Sequence, residues 1–187
     1  MDIEQLDALT TSHGQALLNA IAACPSTDRL KLHEQYRASH DPALVAAACL
    51  QIELREKAQH KFTRSERMWL TRSGLEQASG EAVAVHRAAR VAASANRVAD
   101  LCCGIGGDSL ALAAAGIDSL LVADRDPLHV KMARLNCAVY QAAGEVEGRV
   151  TEVEDVDLAG VDTVFVDPAR RGAHGRLTAG LSSPSLE

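Results

Sequence analysis

A short stretch of glycines and carboxylates that begins at Asp100 has the residue types best suited to chemistry. Asp100-Leu-Cys-Cys leads into Gly104-Ile-Gly106-Gly and then Asp108. Glycines that directly follow a strand let the backbone turn sharply and approach a ligand, because no Cβ lies in the way. Asp124 comes twenty residues after Gly104, a spacing that places a carboxylate where it can accept both hydroxyls of a ribose. The combination predicts a site for an adenosine-containing ligand.

The acidity of this stretch discriminates between such ligands. The dinucleotide fingerprint requires a glycine at position 109, where this chain has Ser109. Asp100 and Asp108 would repel a pyrophosphate, and residues 98–167 hold thirteen acidic residues against four basic ones. S-adenosylmethionine has no phosphate and carries an ammonium and a sulfonium group, which carboxylates attract. We therefore expect S-adenosylmethionine, rather than a nicotinamide dinucleotide, as the cofactor.

An acidic run at residues 152–157 follows the third predicted strand. Asp155 could accept the adenine amino group there, with Val156 against the ring. Asp157 is the alternative ligand, and a solvated acidic loop is the alternative interpretation of the whole run. The expected cofactor-binding residues are Asp100, Cys102, Gly104, Gly106, Asp108, Asp124, Arg125, Asp155 and Val156.

The fourth predicted strand ends in Asp167-Pro168-Ala-Arg170-Arg171. At the carboxyl edge of a parallel sheet such a loop faces the ligand crevice, so Asp167 and Pro168 are the predicted catalytic positions. Their carboxylate and carbonyl oxygens could orient an amino group for attack on a methyl group. Arg170 and Arg171 stay protonated and cannot act as bases, but they suit phosphate or stacking on a base, so they are the predicted substrate residues. The alternative is a turn with two exposed arginines.

The pattern of apolar residues predicts the elements that position these groups. Residues 1–95 read as an N-terminal helical region, with Asp41-Pro42 as a helix start and Thr63-x-x-Glu66 as a capping box. Residues 96–187 read as the N-terminal half of a Rossmann-like domain, in which four strands alternate with helices. We therefore expect an α/β fold with an incomplete class I methyltransferase sheet of strand order 3-2-1-4. The missing neighbour would leave strand 4 as an exposed edge that favours self-association.

Charge and composition indicate which kinds of partner the protein could bind. Residues 55–97 hold nine basic residues against four acidic ones, which suits contact with a polyanion such as RNA or, alternatively, a solvated helix face. Five cysteines lack the spacing of a zinc site, so no metal is expected. An acidic N-terminus and the lack of a long apolar run predict a cytoplasmic protein without a membrane span.

At these motifs the chain resembles the RNA cap guanine-N2 methyltransferases, the family of trimethylguanosine synthase. It is most similar to a bacterial branch with a THUMP-like domain. The matching text is Val98-Ala-Asp-Leu-Cys-Cys-Gly-Ile-Gly-Gly107, Asp124-Arg-Asp-Pro-Leu-His129, Ala133-Arg-Leu-Asn136 and Ala138-Val-Tyr140, with Leu75-Glu-Gln-Ala-Ser-Gly-Glu81 and His86 for the branch.

The resemblance implies that Asp100, Gly104, Gly106, Asp124 and Asp155 bind cofactor and that Asp167 and Pro168 lie at the methyl-transfer site. It also implies that Ser79 and Glu81 line the same crevice. The cap enzymes have Pro-Pro-Trp after the strand-4 acid, whereas this chain has Pro168-Ala169-Arg170, so the stacking tryptophan is replaced. Asp-Pro-Ala-Arg is also similar to the RNA uracil-C5 methyltransferases, which need a cysteine on a later strand.

These observations predict an S-adenosylmethionine-dependent methyltransferase that acts on RNA, at an exocyclic amine of guanine. The alternatives are uracil-C5 methylation and a non-catalytic module that binds cofactor and RNA. Since four strands are fewer than a complete class I sheet, we expect the chain to be inactive on its own.

Overall fold

The computed structural model describes residues 1–24, 36, 40–167, 171–172 and 175–176. Among these residues the helices are α1 (Ile3–Thr10), α2 (Ser12–Ala22), α3 (Pro42–Ala58), α4 (Arg72–Gln77), α5 (Glu81–Ala92), α6 (Ser109–Ala114) and α7 (Pro127–Val139). The strands are β1 (Arg97–Leu101), β2 (Ser119–Asp124), β3 (Glu145–Val150), β4 (Thr163–Val166) and a short antiparallel pair, β5 (Arg171–Gly172) and β6 (Gly175–Arg176). Turns of 3-10 helix occupy Ser65–Arg67 and Val153–Asp155.

Side-chain caps account for where several of the helices begin. Asp2 precedes α1, and its carboxylate accepts from the Gln5 N–H. Asp41 precedes α3 in the same way, and its carboxylate accepts from the Ala43 N–H. Pro42 occupies the first turn of α3, where its missing N–H costs nothing. The Asp41-Pro42 start is thus confirmed. The expected capping box at Thr63 is wrong, because a 3-10 turn without a side-chain cap follows it.

The four-stranded sheet is parallel throughout, in the order β3-β2-β1-β4, which confirms the predicted α/β fold and strand order. Strand β3 begins at Glu145, well before the acidic run that follows it. Its residues alternate between exposed and half-buried, so it lacks the apolar run that reveals a buried strand. Strand β4 pairs with β1 alone among the described strands, and its Val164 and Val166 are 40% and 41% exposed. The expected self-association through this edge stays a prediction.

One continuous apolar core joins the N-terminal helices to the sheet. A single buried cluster extends from Leu6 and Ile52, through Trp69, to Leu110 and Ile117. Packing is therefore unbroken across the predicted boundary between residues 95 and 96, although the division into two domains stays a prediction. A smaller apolar cluster covers the opposite face of the sheet, around Leu101 and Leu121.

The fully buried side chain of Asn136 links three parts of this structure. Its Oδ1 accepts from the Trp69 N–H at 2.7 Å. Its Nδ2 donates to the carbonyl oxygens of Trp69 at 2.9 Å and of Ile105 at 2.8 Å. Helix α7 is thereby tied to the chain that precedes α4 and to the glycine loop (residues 102–108).

We expect Asn136→Ala to lower the free energy of unfolding by about 2–3 kcal/mol, because it leaves buried backbone groups of Trp69 and Ile105 without a partner. Equilibrium urea denaturation measures the change. The same substitution at the exposed Asn19 is the control and should shift the value by less than about 0.5 kcal/mol. Equal effects of the two variants would contradict the role given to Asn136.

Candidate functional site

A large crevice opens at the carboxyl ends of the parallel strands, where the α/β architecture places ligands. Its volume is about 1160 Å³, above the roughly 300–1,000 Å³ usual for one small ligand, so a second molecule has room to enter. The walls come from four places: residues 74–79 of the segment before α5, the glycine loop with the end of β1, residues 123–129 after β2 with residues 151–154 after β3, and the end of β4. We call residues 72–79 the flanking segment.

Two glycines of the loop have positive φ angles but different surroundings. Gly104 has a φ of +54°, and a Cβ there would meet nothing within 4 Å. Gly106 has a φ of +85°, and its Cβ would lie 2.9 Å from the Cα of Ala133 on α7. Gly106 is absent from the described lining of the crevice, and its close approach to Ala133 shows a packing role, while its contact with cofactor stays a prediction.

Asp124, at the end of β2, is held from the backbone. Its Oδ2 accepts from the Gly104 N–H at 3.0 Å, and its Oδ1 accepts from the Asp126 N–H at 2.9 Å. Burial alone would raise the pKa of Asp124, but the nearby His129 and the hydrogen bonds from the Asp126 and Gly104 N–H groups together lower it. Each oxygen keeps a further lone pair, so this ionised carboxylate can accept from two hydroxyl groups.

His129 lies one turn into α7 and faces the same carboxylate. Its Nδ1 is 3.8 Å from Asp124 Oδ1 and 3.8 Å from Asp126 Oδ2. The nearby carboxylate of Asp124 raises the pKa of His129, against the effect of its burial. His129, like Arg125, lines the crevice at this end. His129 is not among the predicted site residues, although its position in the first turn of the helix after Asp124 indicated that it could face the same crevice.

Asp100, in β1, is a buried carboxyl group that lines the crevice beside the glycine loop. It is 3% exposed, and the Ser109 hydroxyl donates a short hydrogen bond to it. Burial, reinforced by the charges of Asp108, Asp167 and Asp124 and opposed by the Ser109 hydrogen bond, raises the pKa of Asp100 to about 7. The site therefore concentrates negative charge that a bound cation would stabilise. Ser109, which breaks the dinucleotide fingerprint, is the partner of this carboxyl group.

The acidic run after β3 is placed differently from expectation. Residues 151–154 line the crevice, whereas Asp155 is exposed at the end of a 3-10 turn. Val156 packs on the sheet beside Leu101 and Leu121 and is not among the residues that line the crevice, so its contact with the cofactor stays a prediction. Asp157 accepts from the Ala159 N–H within a turn. The structure thus offers Val153 and Glu154 at the position expected for Asp155 and Val156.

The end of β4 contributes Phe165 and Asp167 to the crevice. The Asp167 side chain is 54% exposed, as an acid that meets a second substrate would need to be. Pro168 and Arg170 lie outside the described residues. Arg171 is described only by its backbone, in β5.

Arg87, on α5, lies outside the lining of the crevice but contacts residues that line it, and the sequence did not reveal this role. Its Nη1 donates to Ser79 Oγ at 2.8 Å and to Asp108 Oδ1 at 3.1 Å, and lies 3.7 Å from Asp167 Oδ2. The guanidinium carbon is 5.8 Å from the centre of the Phe165 ring. Tertiary packing brings α5 to this position, and no local sequence pattern indicates that contact.

Six of the nine basic residues at positions 55–97 have partners within the protein, four of them in part-buried contacts and two in exposed ion pairs. Arg55 donates to the Met68 carbonyl and stacks on Trp69, and burial lowers its pKa to about 10. Arg64 donates to the Val139 carbonyl and stacks on Tyr140. Further partners hold Lys57, Lys61, Arg72 and Arg87. The positive charge of this segment therefore offers fewer free contacts to a polyanion than its composition indicates.

The described residues offer neither a metal site nor a membrane span. In that part of the chain no group of three or more histidine, cysteine or acidic side chains is placed to hold a metal ion. The described helices also include none that is long and apolar enough to cross a membrane.

Comparison with known proteins supports the architecture. The model of the family described as "Domain of unknown function (DUF8688)" matches residues 2–58, less than a third of the chain. No curated protein matches at a significant level. A protein of Porphyromonas gingivalis W83, provisionally assigned as a methyltransferase, is similar over 91% of this chain with a TM-score of 0.64 and 22% identity. The chain has the Rossmann-like α/β fold of that protein.

Two further structures are similar at lower TM-scores. The tRNA (uracil-54, C5)-methyltransferase of Pyrococcus abyssi, in complex with S-adenosyl-L-homocysteine, shares 26% identity over 59% of this chain, with a TM-score of 0.42. An RNA methyltransferase of Salinibacter ruber shares 25% identity over 44% of this chain and 55% of its own, with a TM-score of 0.39. The chain spans 42% of the length of the Porphyromonas gingivalis protein and 26% of the Pyrococcus abyssi enzyme.

The raised pKa of Asp100 predicts how stability depends on pH. Because the pKa is about 7 in the fold and 3.8 in a free carboxyl group, unfolding releases a proton between these values. The free energy of unfolding should therefore fall as pH rises from about 4 to about 7, and Asp100 should add no further slope above that.

Asp100→Asn removes this contribution, so we expect the variant to gain stability relative to the unaltered protein as pH rises to 7. Urea denaturation at pH 5, 6, 7 and 8 measures the difference. Asp118→Asn, the same change at an exposed side chain, is the control. Parallel curves for Asp100→Asn and the unaltered protein would show that Asp100 ionises normally in the fold.

Proposed function

We propose that the crevice binds S-adenosylmethionine and that the protein is a methyltransferase. The observation that carries this proposal is Asp124, an ionised carboxylate at the end of β2 whose two oxygens are oriented by backbone N–H groups and face an acidic crevice. A ribose needs such an acceptor, and a sulfonium and an ammonium group tolerate the acids around it. A ligand that carries a pyrophosphate would be repelled by Asp100 and Asp108.

The order of the strands supports a different wall of the crevice for each part of the cofactor. Asp124 would hold the ribose, and Val153 and Glu154, after β3, would contact the adenine. The glycine loop with Cys102 and Asp108 would face the methionine part, which brings the sulfonium toward β4 and Asp167. When bound, the cofactor supplies an electrophilic methyl group.

We further propose that the acceptor is an exocyclic amine of guanine in RNA. The lone pair of such an amine is delocalised into its ring, so the amine attacks poorly unless it is held. Asp167 and the carbonyl of Pro168 would accept its two N–H bonds, and proximity would supply much of the rate. Arg170 would stack on the base where the cap enzymes use tryptophan, and Arg171 would contact phosphate. The resemblance to the guanine-N2 family, in its branch with a THUMP-like domain, supports this choice.

Asp124→Ala tests the cofactor site. Loss of a charge-assisted hydrogen bond costs roughly 1.5–3 kcal/mol, so we expect the affinity for S-adenosylmethionine to fall by about one to two decades. Isothermal titration calorimetry measures the affinity, and the exposed Asp118→Ala is the control. Unchanged binding by Asp124→Ala would remove Asp124 from the site, and tight binding of NAD by the unaltered protein would overturn the assignment.

Asp167→Asn tests the acceptor site. It keeps the shape but removes the charge. In a protein that carries the complete sheet, turnover should therefore fall about tenfold or more while cofactor affinity changes by less than about threefold. Methyl-tritiated S-adenosylmethionine, total RNA and nucleoside digestion locate the product. Label on guanine N2 supports the proposal, whereas label on uracil C5 transfers it to the runner-up reaction. No label, with cofactor still bound, would indicate a binding module.

A further inference from the structure

Arg87 connects three walls of the crevice that belong to separate parts of the chain. It contacts Ser79 in the flanking segment and Asp108 in the glycine loop by hydrogen bonds. It also lies within ion-pair distance of Asp167, at 3.7 Å, and beside Phe165 on β4. Its contacts therefore extend from the cofactor half of the proposed site to the acceptor half.

The helix that carries Arg87 is firmly anchored. Glu81 begins α5, and its carboxylate accepts from the Thr63 N–H at 2.5 Å, the Thr63 hydroxyl at 2.7 Å and the Tyr140 hydroxyl at 2.8 Å. These bonds hold Glu81 outside the lining of the crevice, contrary to the role that the family resemblance implied. Ala84 and Ala88 are buried on the inner face of the same helix. Arg87 is therefore presented from a fixed support.

The charges around Arg87 are unbalanced without it. Asp108 is 11% exposed on its side chain and pairs with Arg87. Asp100, Asp124 and Asp167 belong to the same crevice, and their mutual repulsion contributes to the raised pKa of Asp100. Arg87 pairs with Asp108 and lies near Asp167, whereas Arg125 lines the crevice beside Asp124, so the carboxylates outnumber the guanidinium groups around them.

We propose that Arg87 is a positioning residue that holds the carboxylates of Asp108 and Asp167 at the mouth of the crevice and offsets part of their charge. By this offset Arg87 would limit how strongly the crevice prefers the cationic S-adenosylmethionine to its demethylated product, which lacks the sulfonium charge. A weaker preference for the positive charge lets the crevice bind S-adenosylmethionine without stabilising the sulfonium so strongly that methyl transfer, which removes this charge, is slowed. The inference rests on the proposed function and deepens it, since it concerns the same site.

The affinities for S-adenosylmethionine and S-adenosylhomocysteine isolate this effect, because the two ligands differ by one methyl group and one positive charge. Removal of the Arg87 charge should favour the cation by roughly threefold to tenfold over the neutral product, after allowance for solvent screening at this partly exposed group. A purely structural defect would weaken both ligands together and leave their ratio unchanged.

The experiment is calorimetric titration of the unaltered protein, Arg87→Gln, Arg87→Lys and Arg90→Gln with each of the two ligands. Arg90 lies on the same helix and is exposed, so Arg90→Gln removes the same formal charge away from the crevice. We expect the ratio of affinities to rise threefold to tenfold in Arg87→Gln and to stay within about twofold of the original in Arg87→Lys and Arg90→Gln. Thermal denaturation of each variant checks that the fold is retained.

The possible outcomes separate the two proposals. Binding of both ligands with an unchanged ratio in Arg87→Gln would overturn the role of Arg87 and leave the cofactor assignment intact. An equal rise in Arg90→Gln or in Arg87→Lys would also overturn it, since the effect would then not depend on a positive charge at this position. Binding of neither ligand by the unaltered protein would remove the proposed function and this inference with it.

Discussion

The buried amide of Asn136 is the contact on which the candidate site depends. The glycine loop follows β1 and Trp69 precedes α4, so more than thirty residues of chain separate the two walls that they help to form. One side chain satisfies backbone groups of both, which fixes the flanking segment against the loop without a charge. An amide is suited to this role because it donates and accepts at once. The crevice is thus a composite of the helical region and the sheet.

Charge placement inside the crevice follows from the sheet topology. Parallel strands deliver their carboxyl ends to one edge, so Asp100, Asp124 and Asp167 meet although they are far apart in sequence. The protein stabilises each acid differently: a hydroxyl for Asp100, backbone N–H groups for Asp124 and an arginine for Asp167. Asp124 combines a lowered pKa, backbone N–H partners for both oxygens and a place in the lining of the crevice.

The parts of the fold and of the site that the sequence predicted correctly are those that a short run of residues encodes. Apolar runs that end at a glycine or an acid located β1 and β2, and the spacing from Gly104 to Asp124 located the acceptor that faces the crevice. The start of β3 was not predictable because its residues alternate without an apolar run. The roles of Arg87 and Asn136 were not predictable either, since both arise from packing between elements that no short pattern relates. Thr63 shows the same limit: its partner is Glu81, which lies eighteen residues away rather than three.

The glycine loop itself combines two constraints that the motif alone cannot separate. A Cβ on Gly107 would lie 2.9 Å from the Ala78 Cβ, and one on Gly106 would meet Ala133, so these glycines permit close packing on both sides. Gly104 alone of the three faces open space, and its N–H already donates to Asp124. The Gly106 N–H donates to the Cys103 carbonyl. Loops that bind phosphate direct such N–H groups at the anion. A loop that uses two of them internally is better suited to a ligand without phosphate, and this favours S-adenosylmethionine independently of the acidic side chains.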